Sequence, residues 1–174
     1  MPVYLKDSGS LQALEQYGSV LIVPCRFCPA ASLAVSRSQP YFEFLTNCMK
    51  TAAYESYLED TKASLTSMGV KADIFRSRLV HQFVICMWTK KRRRQLMKAA
   101  MNYDALLVMA CEAGVRTVCD AVESAPCKVY MGMRSEGIMS ILPRWQKPGK
   151  IFIDLKSVIP LIHKTTEADP WISL

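Results

Sequence analysis

Two cysteines stand at the end of an apolar run in GSVLIVPCRFCPAA, Gly18–Ala31, at C-x-x-C spacing. A pair so spaced serves as a redox dithiol, as half of a metal site, or as two small buried hydrophobes. The chain holds seven cysteines in 174 residues. Seven is odd, which speaks against a fully paired disulfide framework and for thiols, metal ligands or catalytic groups in a reducing compartment. Which chemistry applies depends on where the other cysteines fall, and so on the elements that carry them.

Ser19–Pro24 (SVLIVP) reads as a strand buried on both faces, and a short helix over Leu11–Tyr17 precedes it. A mostly helical stretch follows from about Ser32 to Met68, with Gly69 as its C-terminal cap. Lys71–Arg76 is a second strand, and Thr89 caps a helix reaching about Met101. Ala105–Ala110 is a third strand, and EAGVRTVCDAVES a helix with Val115, Val118, Cys119 and Val122 on one face. CKVYMGM adds another strand, and GKIFIDL an edge strand or extended arm. Alternating strands and helices predict an α/β protein with a mostly parallel open sheet and flanking helices. A single domain over 1–155 is expected, with 156–174 as a C-terminal extension.

On that frame Cys25 and Cys28 follow the first strand and Cys111 follows the Ala105–Ala110 strand. Cys86 precedes the Thr89 helix, in the corresponding loop. Loops after the carboxyl ends of parallel strands gather on one edge, where ligands bind. Three segments thus deliver four cysteines, Cys25, Cys28, Cys86 and Cys111, to one edge, as a four-cysteine metal site requires. Four thiolates suit tetrahedral zinc or an iron–sulfur cluster. Structural zinc sites often use two C-x-x-C pairs, and only one is present, which leans the reading toward a 4Fe-4S cluster with zinc as the alternative. A dithiol oxidoreductase built on Cys25 and Cys28 is a further alternative. Cys119, on an apolar helix face, and Cys127, opening a strand, read as core residues, as does Cys48. His81 lies in an apolar run near Cys86 and is a weaker candidate donor.

These residues also resemble a known family. YDALLVMACEAGVRTVCDAV, Tyr103–Val122, is similar to the strand–CGxGVQTVA–helix segment of the methylenetetrahydrofolate reductase C-terminal family. VLIVPCRFCPA resembles that family's apolar strand ending in C-x-x-C, and FVICMW takes the place of its isolated middle cysteine. The resemblance spans roughly Gly18–Met133. It implies a small cysteine-rich subunit with Cys25, Cys28, Cys86 and Cys111 as ligands. Such a subunit acts as an electron relay or structural partner of a flavin- or corrinoid-dependent one-carbon enzyme and does not turn over substrate alone. Glu112 stands where the family has Gly, and Arg116 where it has Gln. Glu112 is expected to be a solvated first-turn residue favoured by the helix dipole.

Charge and hydropathy bound the rest. The net charge is +7, with much of the excess in Lys90, Lys91, Arg92, Arg93 and Arg94. Such a run is either a solvated helix face or a docking surface for an acidic partner. Nucleic acid ranks third, since only Trp88 adjoins it as a stacking residue. G-x-G-x-x-G, P-loop and nucleophile-elbow motifs do not occur. No apolar run approaches the roughly 20 residues of a membrane-spanning helix, and the first residues lack a signal layout. A cytoplasmic protein is the expectation.

Overall fold

A computed structural model describes residues 2–44, 50–76, 82–146 and 149–161. Among them the strands are β1 (Val3–Asp7), β2 (Ser19–Pro24), β3 (Phe42–Glu43), β4 (Lys71–Ile74), β5 (Ala105–Met109), β6 (Lys128–Met131), β7 (Met133–Gln146) and β8 (Lys150–Pro160). The α-helices are α1 (Cys28–Ser36), α2 (Ala52–Ser67), α3 (Lys90–Ala100) and α4 (Glu112–Val122). No helix among the described residues is long and apolar enough to cross a membrane.

The expected parallel sheet is present as β4-β2-β5-β6, with every pairing parallel. It holds four of the eight strands among the described residues. A second, antiparallel sheet has the order β1-β7-β8-β3, so the expectation of one mostly parallel sheet is corrected to two sheets. The second sheet is hard to see in the sequence because Gly137 and Pro143 interrupt the alternation of β7. The expected extension at 156–174 begins inside β8, which runs through Pro160; residues 162–174 lie outside the described residues.

The mostly helical stretch expected from about Ser32 to Met68 is divided into α1 and α2. α1 ends at Ser36, Ser38 takes a left-handed φ of 52°, and Pro40 follows. A left-handed residue with a proline just beyond it is an ordinary way to stop a helix. At the end of α2 the sequence reading holds. Gly69 has φ 83°, and the Gly69 and Val70 N–H groups donate to the Thr66 and Leu65 carbonyls, both at 3.0 Å. That is the Schellman closure a glycine permits. The Leu11–Tyr17 segment contains only a 3-10 turn over Gln12–Leu14.

β2 and β5 lie in the interior of the parallel sheet, which explains their unbroken apolar runs. Their side chains alternate between two cores. Val20, Ile22, Ala105, Leu107 and Met109 join the core that holds residues of α1, α2 and the antiparallel sheet. Leu21, Val23, Leu106 and Val108 join the core that holds residues of α3 and α4. The chain passes from the parallel to the antiparallel sheet at Gly132, between β6 and β7. Its N–H donates to the Val108 carbonyl at 2.9 Å. A Cβ there would meet Met109 Sδ and lie 2.9 Å from Leu107 Cδ1.

Gly132→Ala should therefore lower unfolding stability by about 1–3 kcal/mol, the usual cost of overpacking a filled core. Urea denaturation checks this. Wild-type stability in the variant would show that the junction has room to spare.

Candidate metal centre

The strand order creates one topological switch point. The chain leaves β2, returns as β4 on one side, and then crosses to β5 on the other. β2 and β5 are direct neighbours, with Pro24 opposite Met109. Ligand crevices in open parallel sheets form outside the carboxyl ends of the strands at such points. Cys25 follows β2 directly and Cys111 follows Ala110 at the end of β5. Cys28 opens α1, so three of the four expected ligands flank this switch point.

Local hydrogen bonding fixes each position. The Cys25 N–H extends the β2–β5 ladder by donating to the Met109 carbonyl at 3.0 Å. The Arg26 N–H donates to the Phe83 carbonyl at 2.7 Å, which pulls the segment before Cys86 over the C-x-x-C turn. α1 then starts at Cys28 with Pro29 in its first turn, a position where proline costs no helix hydrogen bond. Ser32 Oγ accepts from Leu5 N at 2.9 Å and donates to the Cys28 carbonyl at 2.9 Å, tying α1 to β1. Cys86 lies in a 3-10 turn over Ile85–Met87 and is exposed, whereas Cys25, Cys28 and Cys111 are buried.

The four thiols form one electrostatic neighbourhood. Burial pushes the Cys25 thiol up to about 11, against the pull of the Ile85 and Phe27 amides, with Cys111 and Cys86 near enough to raise it further. The Cys28 and Cys111 thiols are near enough to act on one another. That proximity holds Cys28 in its protonated form, and burial acts in the same direction. Cys111 is brought down to about 6, first by the Cys28 thiol and then by the Gly114 and Ala113 amides at the start of α4. Oriented amides at a helix N-terminus favour an anion in this way.

Gly114 allows α4 to sit so close to the end of β5. A Cβ there would lie 2.7 Å from the Ala110 Cβ. Glu112 is not a free solvated residue as expected. Its carboxylate accepts from the Ser135 N–H at 3.2 Å and from the Ser135 hydroxyl, which ties α4 to β7.

Two buried polar atoms beside these cysteines, Arg26 Nη1 and the Tyr41 hydroxyl, lack a hydrogen-bond partner among the described residues. Arg26 stands between Cys25 and Cys28 in the chain. Its Nε and Nη2 are held by the Glu55 carboxylate at 2.6 and 3.1 Å, and its guanidinium lies 5.7 Å from the Phe83 ring centre. Burial raises the Tyr41 hydroxyl, and Cys28 and Cys25 are near enough to add to that. Unpartnered buried donors are costly and call for an acceptor. A thiolate-bound metal centre carries negative charge and would supply one. Thiolates and these two donors are of the chemical type that such a centre takes. No three His, Cys, Asp or Glu among the described residues lie close enough to hold a single metal ion.

Other expected residues are placed as follows. Cys119 and Cys127 are buried in the α3–α4 core, and burial raises both thiols. Cys48 and His81 lie outside the described residues. Thr89 caps α3, with its Oγ1 accepting from Arg92 N at 3.4 Å. Within the cationic run Lys90, Lys91 and Arg94 are exposed and Arg93 is half-buried, while Arg92 is buried. Arg92 lies 4.0 Å from the Phe75 ring centre and donates from Nη2 to the Arg76 carbonyl at 2.6 Å. It is thus a packing residue, and the outward-facing charge is smaller than the run suggests. Arg26 was legible as a cation inside the C-x-x-C, whereas no pattern marks Tyr41.

No known family model matches the chain, and neither do the curated proteins or the solved structures with which it was compared. The resemblance noted above rests on the quoted residues alone.

In the reduced, metal-free chain, alkylation of Cys111 by iodoacetamide should fall as pH drops through about 6, where its thiolate is protonated. Cys25 should stay unreactive until pH approaches about 11. Mass spectrometry of a pH series reads both, and a Cys111 midpoint near an ordinary thiol value would contradict the assignment.

Proposed function

We propose that this chain is a small iron–sulfur protein whose four cysteines, Cys25, Cys28, Cys86 and Cys111, hold one 4Fe-4S cluster. The observation that supports it most is the convergence of cysteines from three segments on the β2–β5 switch point, three of them buried and one exposed. When bound, such a cluster supplies one-electron transfer between a donor and an acceptor. The chain's own residues hold it, shield it and present it.

Cys25, Cys28 and Cys111 lie on the buried side, where the packed ends of β2, β5 and α1 exclude water. Arg26 and Tyr41 offer hydrogen bonds toward the added negative charge, and such donors tune the potential of a thiolate-bound centre. Cys86 is on the open side, four residues before Lys90. The exposed cations Lys90, Lys91 and Arg94 thus follow the outermost ligand closely in the chain. A cationic surface there would steer an acidic partner toward the centre and quicken its docking. By the resemblance, that partner is a flavin- or corrinoid-dependent one-carbon enzyme, and the chain is its electron relay or structural subunit.

Protein purified without oxygen should contain iron and acid-labile sulfide in near-equal, near-stoichiometric amounts, with broad visible absorption. Cys111→Ser should lose most of that iron, and Cys119→Ser should keep it. A colourless protein loaded with zinc would replace the cluster by a structural zinc centre serving as an assembly module. Protein with neither metal would overturn the centre altogether.

A further inference from the structure

We propose that the outer edge of β8 pairs with the same edge of a second copy of this chain, joining two antiparallel sheets into one across a two-fold axis near Leu155. The proposal uses none of the thiols and is independent of the metal centre.

The antiparallel sheet ends in β1 on one side and in β8 with the short β3 on the other. The β1 side is tied down, since Ser32 Oγ of α1 accepts from the Leu5 N–H at 2.9 Å. β3 covers β8 only at Lys150 and Ile151. From Phe152 to Pro160, no strand among the described residues pairs with the outer side of β8. The Tyr41 N–H donates to the Ile151 carbonyl at 2.7 Å, so the backbone groups of Ile151 point away from β7. Such groups alternate along an antiparallel strand, so those of Ile153 and Leu155 point the same way. A row of open backbone groups is a template for a further strand.

The surroundings leave room for one. A groove of about 300 Å³ lies between the end of α1, at Val35 and Gln39, and the consecutive residues Phe152–Leu155 of β8. Successive side chains of a strand point to opposite faces, so a groove lined by four in a row opens along the strand edge. This end of the sheet also exposes apolar side chains. Leu155 and Ile159 of β8 are 37% and 66% exposed, and Leu142 and Trp145 of β7 are 51% and 60% exposed. Apolar surface gathered in one place marks an interaction site.

The order of charges selects the occupant. Asp154 and Lys156 flank Leu155. A register centred on Leu155 sets that residue beside its own copy, and each Asp154 beside Lys156 of the other chain. Opposite charges side by side support a strand pair, and like charges oppose it. Lys156 is also the extra residue where the β7–β8 ladder shifts, because Leu155 faces Ile141 and Ser157 faces Ser140. A lysine at an edge bulge keeps chance strands away. A second copy brings the carboxylate that answers it, Asp154, which Arg144 Nε already meets at 3.3 Å. The device that repels other strands therefore favours this one.

Charge reversal on the full chain tests the pairing, with mass read by light scattering after gel filtration over a concentration series. The wild type should reach twice the mass of one chain. Lys156→Asp sets an aspartate against Asp154, and Asp154→Lys sets a lysine against Lys156, so each variant alone should run as a monomer. Mixed together, the two variants restore both opposite-charge pairs and should regain the doubled mass. Loss of the exposed Arg144 pair costs little stability, and circular dichroism checks that both variants fold. Hydrogen exchange on the wild type reads the edge without any variant. The Ile153 and Leu155 amides should be protected in the concentrated sample and exchange freely on dilution. A wild type that is monomeric throughout, a dimer unmoved by either reversal, or variants that stay apart on mixing would overturn the proposal. So would protection of those amides in the monomer, because the chain would then cover its own edge.

Discussion

The parallel pairing of β2 with β5 is the constraint on which the rest of the structure depends. It sets Pro24 opposite Met109 and carries the ladder one step beyond, to the bond between Cys25 N–H and the Met109 carbonyl. Everything at the thiol centre is measured from that edge. α1 begins three residues after Cys25, and α4 begins at the residue after Cys111. Two helix starts therefore meet above two adjacent strand ends. The interior strands are apolar on both faces, so a slip in register would misplace buried side chains in both cores at once. The sheet is stiff at this point because both of its faces are filled.

The antiparallel sheet supports the same edge from outside. β1 is tied to α1 through Ser32, and β7 is tied to α4 through Ser135 and Glu112. Gly132 lets β6 pass into β7 over Met109 without a side chain in the way. The two sheets thus brace the two helices whose first turns hold Cys28 and Cys111. The segment that carries Cys86 is attached differently. It lies over the C-x-x-C turn through the Phe83 carbonyl and leaves its own cysteine exposed. Three thiols belong to the braced framework, and the fourth belongs to its rim.

Much of this was legible in the sequence. The apolar runs of β2 and β5, the closure at Gly69 and the Thr89 cap all follow from local signals, and the two strand runs suffice to place Cys25 and Cys111 just beyond strand ends. The antiparallel sheet was not legible, because its long strands are interrupted by Gly137 and Pro143 and pair across distances that local periodicity does not see. The break inside the mostly helical stretch falls at Ser38 and Pro40, where a left-handed residue and a proline stop α1. Arg92 reads as one of five equal cations, and only the tertiary structure shows it buried among Phe75 and Trp88. Tyr41 and the Cys28–Cys111 proximity are likewise products of packing between elements far apart in the chain.

The account's central claim is that the β2–β5 edge gathers four thiols around one metal centre. X-ray absorption at the metal edge of protein purified without oxygen tests it most directly, since it reads the ligand atoms themselves. The account predicts a first shell made only of sulfur, with metal–metal scattering behind it from a cluster. A shell dominated by nitrogen or oxygen would contradict it, and so would the absence of any bound metal to measure.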